Sequence, residues 1–268
     1  VEVLDTANRK YGVTHFNVVD ETSNEHETKY ETLLTAVRQL DYQPVFNGYA
    51  RLDMLHRKPH QMDQIAEIGF KGLFFGIETL DDKAGKLIRK GGGRYNLLNS
   101  LETLKSTIPD LYRLGSFIVG LTHDSEEKIR SGFDYIVDNE LLHNIYLNPV
   151  GIAPAEPGDS WASDFSLIPE KFGYEITKTH KDNICEWKND WTTFHEAMAL
   201  TDDIRMNVTS RLGFGAFAEY NNWEYFKDRA LGSVTHPDTV KDQDPDRLYQ
   251  FAVMHVNNYI KAKILKHG

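Results

Sequence analysis

The sequence predicts an α/β fold built on a parallel sheet. Five short apolar runs recur at intervals of roughly thirty residues, and an amphipathic helical segment or a loop follows each, the pattern that right-handed crossovers produce. The chain has 268 residues, and a barrel-sized domain takes ~250, so one such domain, with or without an appendage, fits the length.

Val3, Leu4, Ala7 and Tyr11 already carry helical spacing, with Gly12 placed as a C-cap. A sequence that opens on Val1 inside a helix reads as a fragment of something longer. No basic segment leads into an apolar one, so no signal peptide is expected. Val13 to Val19 then reads as a strand, followed by a helix with Tyr30, Leu33, Leu34 and Val37 on one face. Val45 to Ala50 is the second strand, and a helix with Met62, Ile65 and Ala66 ends at Gly69. Gly72 to Ile77 is the third strand. After Gly91-Gly92-Gly93 comes a helix with Leu97, Leu98, Leu101 and Leu104, then a strand from Gly115 to Leu121. The next helix carries Ile129, Phe133, Ile136 and Val137, with Asp124 as its expected N-cap and Glu127 at the third helical position. Asn144 to Val150 is the fifth strand, and it runs into the Pro-rich stretch Ala153 to Gly158.

The regularity then changes. Trp161, Phe165, Phe172, Tyr174, Trp187, Trp191 and Phe194 crowd one segment, expected to be a core or a subunit contact. Phe194, Ala197, Thr201, Ile204 and Val208 share a helical face. Asp244-Pro245 starts a last amphipathic helix through Leu248, Phe251, Ala252, His255 and Tyr259. The expected division is a barrel-like part over 1–158 and a mainly helical extension over 159–268.

Composition narrows the function. Thirty Lys and Arg stand against forty Asp and Glu, a net charge of −10, which argues against binding nucleic acid or an anionic membrane through charge alone. No apolar run approaches the ~20 residues of a membrane span. With its lone cysteine, Cys185, the chain reads as soluble and cytoplasmic, and it cannot build a disulfide framework, a four-cysteine zinc site or a thiolate-held iron–sulfur cluster.

Ligands of parallel α/β sheets sit at the carboxyl ends of the strands. The exits here read Asp20-Glu21-Thr22, Tyr49-Ala50-Arg51-Leu52-Asp53, Gly76-Ile77-Glu78-Thr79, Ile118-Val119-Gly120-Leu121-Thr122 and Pro149-Val150-Gly151-Ile152. Carboxylates, an arginine and glycines in those places suit a polar ligand with amine, carboxylate and hydroxyls, and a flat ring close to the backbone. Four blocks, Phe46 to Asp53, Ile68 to Leu80, Leu87 to Gly91 and Phe117 to Leu121 followed by Ser125-Glu126-Glu127, resemble the radical S-adenosylmethionine superfamily in order and spacing over roughly residues 1–160. The match is to the branch often fused to a cobalamin-binding domain.

The resemblance implies a partial (β/α)6 TIM-like barrel, strands two to six, with S-adenosylmethionine across its open top and a [4Fe–4S] cluster in the intact parent, and a cobalamin domain elsewhere in that parent. It also implies roles. Asp20 and Glu21 would lie near the methionine amine, and Arg51 and Asp53 near ribose and carboxylate. Glu78 beside Gly76 would meet ribose or amine, Lys90 would pair with the methionine carboxylate, Ile118 and Gly120 would pack on adenine, and Val150 and Ile152 would close the adenine side. The family's C-x3-C-x2-C is absent from these residues, and the alignment would place it before Val1. The expected function is therefore the C-terminal part of a radical S-adenosylmethionine enzyme acting on a small molecule, itself inactive. Other classes are a non-catalytic scaffold that kept the barrel, or a metal-dependent hydrolase using Asp20, Glu78 and a histidine.

Several of these residues have simpler readings. Arg51 and Asp53 can pair with each other, and Asp20-Glu21 can cap the helix after Ser23. The glycine tract lacks the phosphate-loop signature. Pro59 spoils a shared face for His56 and His60, and Ala199 stands where His195-Glu196 would need a second histidine. The open edge of the first strand favours a homodimer or poor solubility.

Overall fold

The structure is a computed structural model that describes residues 1–20, 22–160, 162–180 and 184–212. Glu21, Trp161 and the helix expected after Asp244-Pro245 lie outside the described residues. Helix α1 (Glu2–Tyr11) ends on Gly12, whose φ of 66° gives the left-handed cap expected of it.

Strands β1 (His15–Val18), β2 (Val45–Ala50), β3 (Phe70–Glu78), β4 (Tyr112–Val119) and β5 (Asn144–Pro149) form one parallel sheet in sequence order. The α/β class with a parallel sheet is thus as the sequence predicts. Helices α2 (Glu27–Val37), α4 (Gln61–Ile68), α6 (Gly93–Thr107) and α7 (Glu126–Asp138) are the four crossover helices expected from their apolar spacing, and α4 ends where Gly69 takes a φ of 98°. Two six-residue helices, α3 (Leu52–Arg57) and α5 (Asp82–Leu87), were not expected at the exits of β2 and β3.

Helix α7 begins one residue later than the sequence suggested. Ser125, not Asp124, is its N-cap and accepts from the Lys128 N–H. Asp124 is occupied elsewhere: the Thr79 hydroxyl donates to its Oδ2 at 2.8 Å across the β3–β4 loops.

The extension is not helical throughout. After α8 (Asp164–Leu167) and a 3-10 turn comes a short antiparallel pair, β6 (Glu175–Lys178) with β7 (Glu186–Lys188), before α9 (Phe194–Leu212). Tyr174 and Trp187 are buried, and Phe165, Phe172, Trp191 and Phe194 pack against the same core as the sheet, so the described aromatics of this stretch are core residues. Helix α9 lies on β5, β4 and α7.

One carboxylate ties the small strand pair to α9. Glu186 accepts from His180 at 2.9 Å and Lys178 at 3.1 Å, and faces His195 of α9 at 3.2 Å. These partners, His180 foremost, hold its carboxyl down to about 2 against an ordinary 4.5. A folded pKa below the unfolded one contributes stability that is complete above the unfolded value and lost as pH falls through the folded one. The stability gap between the wild type and Glu186→Gln is therefore expected to be present near pH 5 and to close as pH falls towards about 2. Urea midpoints across that range check it, and a gap that does not change with pH would refute the clamp.

Candidate functional site

Strand alternation gives the sheet two faces. Phe46, Phe75, Ile77, Phe117 and Leu147 are buried towards the helices. The registers Tyr49↔Phe74, Gly76↔Ser116, Ser116↔Tyr146 and Ile118↔Asn148 place the other set on one common face. That inner face is open. Tyr49 and Tyr146 are 40% and 42% exposed, and their rings flank Phe74 at 5.3 and 6.5 Å.

At the upper end of this face stands Glu78, on a strained turn. The Thr79 N–H donates to the Ile77 carbonyl at 2.8 Å, which closes a three-residue turn around a glutamate with φ of 65°. Such a left-handed, non-glycine centre is rare and costs of order 1–3 kcal/mol, a strain that folds retain mainly where a side chain must be aimed. The bulge between Gly76 and Glu78 in the pairing with β4 belongs to the same distortion. Its result is a compact polar cluster. Lys90 Nζ lies 3.4 Å from Glu78 Oε1 and 3.4 Å from the Gly76 carbonyl, and the Ser116 hydroxyl donates to Glu78 Oε2 at 3.2 Å. Gly76 leaves the necessary room: a Cβ there would sit 2.9 Å from Glu78 Oε1 and 3.0 Å from Lys90 Nζ.

The remaining sequence candidates are placed differently. Asp20, at the β1 exit, pairs with Lys29 at 2.7 Å, which holds its carboxyl below the usual range together with the Thr22 N–H. Arg51 and Asp53 form a two-pronged pair, both bonds at 2.9 Å, with Arg57 3.3 Å from the same buried carboxylate. Gly120, Val150 and Ile152 lie beneath the extension. The indole of Trp187 crosses Gly120 and donates to the Val150 carbonyl at 3.0 Å, and the Cys185 N–H donates to the Ile152 carbonyl at 2.7 Å. The structure thus unites Gly76, Glu78 and Lys90 in one cluster with Ile118 on the same sheet face, sets Asp53 against Gly91, the neighbour of Lys90, and places Gly120, Val150 and Ile152 under the extension.

Ser116 and the tyrosines of the inner face escaped the sequence reading. Their signal is the period-two alternation within β2, β4 and β5, which becomes informative only once the strand registers are known. Among the described residues no three His, Cys, Asp or Glu side chains converge as a metal site, and no helix is long and apolar enough to cross a membrane.

No family description and no curated protein matches the chain. Solved structures do. The radical S-adenosylmethionine methyltransferase TsrM from Kitasatospora setae, with tryptophan substrate and a S-adenosylmethionine analogue bound, aligns at a TM-score of 0.52 and 9% identity, over 76% of this chain and 45% of that one. The cobalamin-dependent S-adenosylmethionine radical enzyme OxsB with aqua-cobalamin bound aligns at 0.51 and 13% identity, over 95% of this chain and 40% of that one. OxsB with aqua-cobalamin and S-adenosylmethionine bound gives 0.51 and 12%, again over 95% and 40%. The chain spans less than half the length of each. At such identities the likeness is one of fold: the five-stranded parallel sheet and its helices have the architecture of these enzymes' TIM-like barrels.

Proposed function

We propose that this chain belongs to the radical S-adenosylmethionine superfamily, in its cobalamin-associated branch, and that its inner face binds S-adenosylmethionine. The observation that carries the reading is the Glu78–Lys90–Ser116 cluster over Gly76, held by a strained turn at a strand exit of a sheet with this fold. An adjacent carboxylate and ammonium complement an α-amino acid end group, whose own ammonium pairs with Glu78 and whose carboxylate pairs with Lys90. Ile118, half-buried on the same face, offers a surface for the adenine. Asp20, kept ionised by Lys29, adds a second acceptor at the β1 exit. Arg51 and Asp53, already bound to each other, hold the β2 exit in shape, and Gly120, Val150 and Ile152 seat the extension.

A [4Fe–4S] cluster takes several thiolates, and the sequence holds one cysteine, Cys185, which is buried beside Ile152. The described residues do not fit that group, so no step of cluster chemistry is assigned to them. Their contribution is to bind and orient S-adenosylmethionine.

Isothermal titration of the purified chain with S-adenosylmethionine tests this. Binding is expected, with the affinity falling about tenfold or more in Glu78→Gln and in Lys90→Met, since a charge-assisted hydrogen bond is worth ~1.5–3 kcal/mol. Glu102→Gln, on α6, where the carboxylate accepts from the Tyr135 hydroxyl, should leave it unchanged. A chain that serves only as a scaffold would bind no S-adenosylmethionine, and an affinity indifferent to Glu78→Gln would refute the assigned role.

A further inference from the structure

A second cavity lies on the opposite side of the sheet. It occupies about 380 Å³ between the β3–β4 exits and α7, and it meets the inner-face site only at the rim, where Glu78 and Ile118 border both. Its floor is apolar: Phe117 and Leu147 from the sheet, and Phe133 from α7, whose ring meets Phe117 edge-on at 4.9 Å. For scale, an apolar cavity of ~150 Å³ already accepts benzene.

Its polar end is a buried carboxyl. Asp124 is 7% exposed and Thr79 5% exposed, and both line the cavity. Asp124 accepts from the Thr79 hydroxyl at 2.8 Å and from the Ser125 N–H at 2.8 Å, yet it forms no ion pair among the described residues. Each carboxylate oxygen keeps a free acceptor position. Burial pushes its carboxyl pKa up, against the Ser125 N–H and the Thr79 hydroxyl, which act in the other direction. Three basic residues stand at the mouth: Lys83 is exposed, and the other two are engaged elsewhere. Lys128 is spent on Asp81 at 2.7 Å and on the His123 carbonyl, and Arg94 bridges to Ser131 Oγ and its carbonyl, both at 2.9 Å. What Asp124 lacks is an ion-pair partner, which a cation at the end of an apolar body would supply.

We propose that this cavity is a binding site for a primary amine carrying an aromatic or branched aliphatic group, with the ammonium on Asp124 and the hydrocarbon between the sheet and α7. An anionic ligand would meet the uncompensated carboxylate, and a neutral one would gain the apolar contacts without the charge-assisted bond. The inference stands independently of S-adenosylmethionine binding, since the residues it invokes, Asp124, Phe117, Phe133 and Leu147, are not those of the inner-face cluster.

Phenethylamine, 2-phenylethanol and 3-phenylpropionate, which share a ring and differ in the head group, are the probes, with binding read by titration calorimetry on the full chain. Phenethylamine is expected to bind at least tenfold more tightly than either of the others. Asp124→Asn should remove that advantage while leaving 2-phenylethanol unchanged. Ile129→Phe, which fills the apolar part and keeps the carboxyl, should weaken both of those ligands, and circular dichroism establishes that each variant is folded. Absence of phenethylamine binding at millimolar concentration, or equal binding of 3-phenylpropionate, would overturn the proposal. So would loss of phenethylamine binding in Glu78→Gln with retention in Asp124→Asn, which would assign the ligand to the inner face.

Discussion

Trp187→Ala is expected to cost about 3–5 kcal/mol of folding stability, the range for removing a large buried aromatic. Trp187 is 1% exposed. Its ring meets Tyr174 edge-on at 5.0 Å and Phe194 at 6.2 Å, and its Nε1–H donates to the Val150 carbonyl at 3.0 Å. One residue therefore joins the extension to the exits of both β4 and β5. Truncation leaves a cavity and an unpaired carbonyl together, and the two penalties add in the same direction. Urea unfolding followed by far-ultraviolet circular dichroism measures the loss. Trp187→Phe, which keeps most of the ring volume, should fall well short of it, and a cost below about 1 kcal/mol for the alanine variant would mean that the extension does not rest on this contact.

The second large effect comes from the other side of the same contact. Gly120 has φ of 96°, and a Cβ on it would lie 2.5 Å from the indole Cη2 and 3.2 Å from the Ala197 Cβ. Gly120→Ala thus combines backbone strain with overpacking, about 2–4 kcal/mol in all. The two parts separate in a double variant. With Trp187 already reduced to alanine the collision with the indole disappears and only the Ala197 contact remains, so the added cost of Gly120→Ala should drop towards the backbone part, about 1–2 kcal/mol. Strict additivity of the two substitutions would show that the ring does not press on this backbone.

Why some of this was legible and some not follows from the range of the interactions involved. The bounds of β2 are those read from the sequence, because Pro44 and the polar exit at Arg51 frame one continuous run. Gly69 announced the end of α4 because only a residue tolerant of positive φ fits there. Helices α3 and α5 are too short for a periodic pattern, and β7, three residues long, offers no alternation to detect. The cap of α7 was misplaced by one residue because the competitor for Asp124 is Thr79, distant in sequence. The candidate site divides in the same way. Strand-exit positions could be read from the chain, and so Gly76, Glu78 and Ile118 could be singled out, whereas Lys90, in the segment after α5, entered only through the family resemblance. Which exits stay open could not, since Trp187 and Cys185 reach Gly120, Val150 and Ile152 from a segment with no pattern connecting it to them. Nor could the turn that aims Glu78, because glutamate carries no local preference for positive φ.

The guanidinium of Arg205 on α9 bonds the Leu147 carbonyl and Asn148 of β5. This contact ties α9 to the β5 border of the sheet, while at the other border no described strand lies beyond β1. A border strand with unpaired backbone groups is a place where a further strand can add, so among the described residues the β1 border is one such place.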